Sequence, residues 1–300
     1  MKFLSTLLLL VAITIPTRAA IFTNSADADA FVRANAPTAN YGGAGSLSVS
    51  GSSSTNTAFG TTNGIADTFI RFSTAAMVAS FNSLFGANNW VISGAKLQVT
   101  EVAAPNNSIF DQGKGAFEIY WIADDTWTEG TGMPNTPTTD GIVYTNEPVL
   151  LTNTASLGTF TNTATSVTVF FSLALPATFV SDALAGGEVT LFLTAIDPQI
   201  GFTFNSRSFG TTSARPFLEI SAVPVPGISA VNLSGTNVVL SATNGVAGGT
   251  YYVFSSTNLA LPLSQWTPVA TNVLSGSGNF TTTVTNANTT AQQFFILQTQ

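Results

Sequence analysis

The 300-residue chain has neither His nor Cys, and only 8% of its residues are charged. Without imidazole there is no Ser-His-Asp triad and no His-based metal site. Without thiols there is no Cys nucleophile, no disulfide framework and no Cys-zinc site. An ordinary soluble domain is about 25% charged. The polar surface here must therefore come from Ser, Thr, Asn, Gln and Gly. Eight basic residues stand against 15 acidic ones, a net charge of −7. Phosphate binding relies on clustered Lys and Arg, so a nucleic-acid partner is excluded.

What is present begins with a leader-like segment. Lys2 supplies a positive start, Phe3 to Ile15 a short apolar run, and Pro16 interrupts it before Thr17-Arg18-Ala19-Ala20. This pattern reads as a secretory signal peptide over residues 1–19, cleaved after Ala19. The run falls short of the ~20 residues that a spanning helix needs, so no membrane span is expected. An exported, acidic chain without cysteine suits a bacterial envelope or exterior, a secreted or cell-surface location. Asn-x-Ser/Thr triplets at Asn106, Asn232, Asn279 and Asn288 are what so Asn- and Thr-rich a composition yields, and no role is assigned to them.

From Ala26 to Ala222, short β-branched and aromatic runs alternate with Gly, Asn, Pro, Ser and Thr clusters. Expected strands are Ala30–Arg33, Ser46–Ser50, Thr68–Phe72, Ala95–Val102, Ala116–Ile122, Val167–Leu173, Val189–Ala195, Gly201–Asn205 and Pro216–Ile220. Within the fourth, Ala95, Leu97 and Val99 share one face while Lys96, Gln98 and Thr100 share the other, the period of two of a strand with one wet side. Two helices are expected among them. One is Thr74–Phe85, capped by Ser73, with Met77, Phe81, Leu84 and Phe85 on one face and Gly86 ending it. The other runs from Pro176 to Leu184 and closes at Gly186-Gly187.

Alternating prolines at Pro224 and Pro226 mark residues 223–227 as a short stiff linker. Beyond it, Ser221 to Gln300 contains no Asp, Glu, Lys or Arg. Runs at Val238–Ala242, Thr250–Ser255, Trp266–Thr271, Phe280–Thr285 and Phe294–Leu297 predict a second, smaller sandwich over residues 228–300. The fold class is therefore all-β: a jelly-roll-like β-sandwich over residues 20–222, then a small immunoglobulin- or fibronectin-like sandwich. An uncharged surface has few devices against strand-edge association, so self-association through the second domain is one expectation and a soluble spacer the other.

Several segments in order resemble the DNRLRE-domain family of secreted bacterial β-sandwich modules. They are Asp29-Ala30-Phe31-Val32-Arg33, Pro37-Thr38-Ala39-Asn40-Tyr41-Gly42, Phe69-Ile70-Arg71-Phe72, Ser93-Gly94-Ala95-Lys96-Leu97, Trp127-Thr128-Glu129 and Arg215-Pro216-Phe217-Leu218-Glu219-Ile220. The resemblance spans Asp27 to Ser221. It implies a jelly-roll-like, carbohydrate-binding-module-like sandwich and, for some members, binding of acidic polysaccharide. The acidic net charge repels polyanions, so a neutral glycan is an equal expectation. The end of the chain is similar to a C-terminal module of many secreted bacterial proteins.

The candidate ligand-binding residues are Trp121, Asp124, Asp125, Trp127 and Glu129, the densest cluster of acids and large aromatics, with Arg33 and Tyr41 from the family-like segments. Sugar rings bind flat aromatic faces and donate hydroxyl hydrogens to carboxylates. The competing reading packs the tryptophans in the core and leaves Asp124 and Asp125 to shape a turn. Asp27 and Asp29, two apart, are candidate ligands for a calcium ion. Arg71 and Arg215 are read as structural, with Asp67 and Glu219 as candidate partners. Asp125 and Glu129 are formally a carboxylate pair, but so few ionisable groups argue against an active-site cleft, and no enzyme is expected. The function expected is polysaccharide binding without catalysis, with a structural or adhesive surface protein as the alternative and a glycan-active enzyme third.

Overall fold

The computed structural model describes residues 19–56, 61–102, 113–162, 167–245, 248–274, 278–285, 287 and 292–299. The leader and the Asn106 and Asn288 triplets lie outside them. The chain divides into two compact units. One comprises Ile21–Leu84 with Ile92–Ala222, and the other Val223–Gln300 joined by Phe85–Val91.

The first unit is an all-β sandwich. Its first elements are β1 (Ala20–Arg33), β2 (Ser46–Ser50), β3 (Thr55–Asn56), β4 (Thr61–Thr62), β5 (Ala66–Ser73), α1 (Ala75–Phe85), β6 (Trp90–Thr100) and β7 (Ala116–Ile122). Then follow α2 (Glu147–Leu150), β8 (Thr154–Thr161), β9 (Thr168–Leu173), α3 (Ala177–Ala185), β10 (Glu188–Ala195), β11 (Gly201–Asn205) and β12 (Phe217–Pro224). The main sheet has the order β8-β7-β10-β5-β1-β12-β6-β9, with β2 and β11 branching from β5. Its two ends approach each other: the Ala174 amide, just past β9, donates to the Leu157 carbonyl on β8 at 2.8 Å. The sheet is thus nearly closed on itself, which leaves few unpaired edges.

Alternation assigns the faces. On β7, Phe117, Ile119 and Trp121 point one way, Glu118, Tyr120 and Ile122 the other. The first side is filled by rings, with Phe117 at 4.9 Å from Phe202 and 5.2 Å from Phe171 between centroids. The second side carries Ala28, Ala30, Val32, Phe69, Ile122 and Phe192, and the segment 123–153 is laid over it, contributing Trp127, Ile142 and Leu150.

Both helices form, with differences. Ser73 is the last residue of β5, and Thr74 precedes α1; its hydroxyl donates to the Gly187 carbonyl at 3.0 Å rather than capping the helix. Met77 and Phe81 are buried, but Leu84 is 58% exposed, because a helix of three turns lays only one stripe on the sheet. Gly86 and Gly186 end α1 and α3 with φ of +87° and +75°, a region where a side chain is strained.

The second unit holds β13 (Gly227–Ser234), β14 (Asn237–Thr243), β15 (Thr250–Ser256), β16 (Thr267–Val273), β17 (Phe280–Val284) and β18 (Phe294–Thr299). They form two three-stranded sheets, β13-β14-β17 and β16-β15-β18. Leu240, Tyr251, Val253 and Leu274 fill its core, where Tyr251 stacks on Phe280 at 3.7 Å between centroids. The linker is shorter than the prolines suggest. Strand β12 runs to Pro224 and β13 starts at Gly227, so only Val225 and Pro226 lie between. The Val225 amide donates to the Asn89 carbonyl at 2.7 Å.

Candidate functional site

The segment 123–153 is the largest connection in the first unit and its only regular element is the four-residue α2. Long irregular segments lie flat only when their polar backbone finds partners. Here three side chains supply them. Buried Asn40 donates to the carbonyls of Glu129 and Ile142 and accepts from the amides of Gly42 and Gly132. A Cβ on Gly42 or Gly132 would collide with the carbonyl of Glu129 or Asn40, so both positions require glycine. Arg71 donates through Nη1 to the carbonyls of Asp125 and Trp127 at 3.0 and 3.1 Å, and its guanidinium lies 5.3 Å from the Trp127 ring centroid. Asp140 accepts from the Thr131 amide and from the hydroxyls of Thr131 and Thr138, which holds its carboxyl down at about 2.

The expected sugar platform is not open to a ligand. Trp121 and Trp127 are 5% and 6% exposed and lie on opposite faces of the sheet. The Trp121 indole donates to Asp182 on α3 at 2.7 Å, while that of Trp127 donates to the Thr190 hydroxyl at 3.0 Å. Tyr41 is equally buried, stacked on Phe31 at 4.7 Å. Asp124 shapes its own turn by accepting from the amide and hydroxyl of Thr126. Asp125 accepts from Thr190 at 2.6 Å, and burial pushes its carboxyl up to about 6. Glu129 is ion-paired with Arg207 and accepts the Asp29 amide. Arg33 donates to the Asn63 carbonyl. Asp124, Asp125 and Glu129 thus serve the packing of the segment, and both tryptophans are buried, as the core reading has them.

The calcium pair is likewise separated by its partners. A bulge in β1 between Ala26 and Ala28 turns Asp27 outward to Arg71, 3.1 Å away. Asp29 is fully buried and accepts the Arg207 amide at 2.6 Å; burial pushes its carboxyl up to about 7. Arg71 and Arg215 are structural, as expected, but their partners differ: Asp27 and Glu188 flank Arg71, Arg215 donates to the Phe209 carbonyl, and Glu219 pairs with Lys96.

Two features were not legible beforehand. A cavity of about 460 Å³ opens along the segment between Trp127 and α2, walled by the polar groups of Thr126, Thr128, Asp140 and Asn146 and by Ile142 and Val149. On the covered face beside it, Asp67 and Glu147 are buried, and both act on the half-buried Tyr144 phenol. Burial pushes Asp67 up to about 6; burial and the charge of Asp67 push Glu147 up to about 8. The signal for Asp67 was its place in an inward-facing register two residues from Phe69; nothing in the local sequence marks Glu147.

No family model and no curated protein matches the chain. Among solved structures it is similar to a β-D-glucuronidase from Dictyoglomus thermophilum, at 10% identity and a TM-score of 0.24, over 89% of this chain and 38% of that one. A Ruminococcus gnavus β-glucuronidase has 10% identity and a TM-score of 0.18, over 74% of this chain and 30% of that one. The chain spans less than two fifths of either enzyme, and at this overlap the likeness bears on neither activity nor ligand. No helix among the described residues is long and apolar enough to cross a membrane.

Proposed function

We propose that the chain is a secreted, non-catalytic protein whose first domain binds polysaccharide. The observation that carries this reading is the 460 Å³ cavity at the Thr126–Val149 segment. Its walls combine hydroxyls, an amide and one carboxylate with aliphatic surface, the mixture that holds a sugar ring by its hydroxyls and its apolar face. No Lys or Arg lines it, so a neutral glycan fits better than a polyanion. The site lies on a loop clamped by Asn40, Arg71 and Asp140, and a preordered loop loses little entropy on binding. The test is affinity electrophoresis of the mature chain in gels containing neutral or acidic polysaccharides. Retardation by a neutral polymer, abolished by Thr139→Trp at the exposed mouth of the cavity, is the expected result. Unretarded migration in every gel sinks the reading.

A second reading, a structural or adhesive surface protein, is favoured by β13. It is an edge strand of an uncharged unit, and Val231 and Leu233 on it are 56% and 66% exposed.

A further inference from the structure

Asp67 and Glu147 come from elements 80 positions apart, yet they meet under one roof. Phe69 packs against Trp127 and Phe192, and Asp67, two residues earlier on β5, shares its face. Glu147 opens α2 in the segment laid over that face. Asp67 is 3% exposed and Glu147 8%. Each buries one carboxylate oxygen, Oδ1 and Oε2, that has no hydrogen-bond partner. The Thr194 hydroxyl is bonded to the Asp67 carboxylate, leaving Oδ1 to the interior. Asp67 acts on Glu147 through its charge, and both act on the Tyr144 phenol.

Buried carboxylates are kept where they are paired, hydrogen-bonded or bound to metal. Pairing is absent, because the charge felt by Glu147 is that of another acid. Neither orphaned oxygen faces a hydrogen-bond donor. We propose that Asp67 and Glu147 form a divalent-cation site between β5 and the segment carrying α2, of the oxygen-liganded class that takes Ca²⁺. A chain without His or Cys offers nothing to softer metals. Two carboxylates neutralise a doubly charged ion. No group of three potential ligands of the Asp, Glu, His or Cys kind occurs among the described residues, so neutral oxygens must complete the shell. Such a site belongs in the weak range of extracellular modules, a Kd of about 10⁻⁴–10⁻³ M. Its role is to tie the segment down onto the sheet.

The test uses the mature chain at pH 8.5 and two readouts that need no glycan. Tb³⁺ luminescence, excited through neighbouring Tyr144, should appear and be displaced by millimolar Ca²⁺. The thermal midpoint should rise on exchange of EDTA for CaCl₂. In the double variant Asp67→Asn, Glu147→Gln the luminescence should fall at least fivefold and the calcium shift vanish, while its midpoint in EDTA equals or exceeds that of the parent, which shows that it folds. Asp27→Asn should change neither readout. Equal luminescence and equal calcium shifts in parent and double variant overturn the proposal, as does loss of both in Asp27→Asn alone. Glycan retardation is measured separately, so failure of one assignment leaves the other standing.

Discussion

At the scale of single residues, Arg71 does most to shape the site. Its side chain is 21% exposed, and its guanidinium meets Asp27, Glu188, two carbonyls and the face of Trp127. Only a planar fork with five donors reaches all of these, whereas an ammonium satisfies one direction at a time. Arg71→Ala leaves the Asp125 and Trp127 carbonyls without this donor and Asp27 and Glu188 without their cation, and should cost about 2–4 kcal/mol in urea denaturation followed by tryptophan fluorescence. Arg71→Lys should recover less than half of that loss. A loss below about 0.5 kcal/mol for the alanine variant would mean that the segment is held elsewhere. The role of Arg71 was readable from its alternating apolar neighbours, but its partners were not, because the bulge that turns Asp27 outward leaves no mark in the sequence.

At the scale of elements, strands were legible where apolar and polar residues alternate along the chain, whether one face is partly exposed, as on β7, or both are buried, as on β11. Ser46–Ser50, Ala116–Ile122 and Gly201–Asn205 fall where their alternation put them. Thr154–Thr161 and Gly227–Ser234 were missed. On β8 only Leu157 is fully buried, and β13 lies at an edge with both faces largely exposed, so neither carries a clear period of two. The aromatic and acidic cluster at residues 121–129 was legible as a cluster, yet its sense was inverted, since alternation on β7 sends Trp121 to one face while the segment beyond the strand lays Trp127 on the other. Asp67 and Glu147 meet only through tertiary folding. The exposed edge of β13 has its own consequence. If Val231 and Leu233 recruit another strand, light scattering on the mature chain should show oligomers that Leu233→Lys returns to monomer, as a charge on an edge blocks pairing. A parent that is monomeric at high concentration removes the adhesive reading.

At the scale of the whole molecule, burial of acids in a chain poor in cations sets the response to pH. Asp29, Asp67, Asp125 and Glu147 are pushed up to about 7, 6, 6 and 8, in each case chiefly by burial. A carboxyl with a folded pKa above its unfolded one binds protons more tightly in the native state. Stability therefore falls as pH rises from about 4 to about 8 and levels off above that. Asp140 works in the opposite sense, but its carboxyl is held at about 2, so its contribution is lost only at pH below about 4. The balance places maximal stability near pH 4–5, below the usual range of about 5–8. Thermal midpoints in EDTA should thus be higher at pH 5 than at pH 8.5, and the double variant Asp67→Asn, Glu147→Gln should lose part of that slope by gaining stability at the alkaline end. Calcium should raise the midpoint at pH 8.5 and act little at pH 5, where protons already neutralise the pair. A midpoint that rises with pH in EDTA would mean that these carboxyls are charged in the native state at no cost, contrary to their burial.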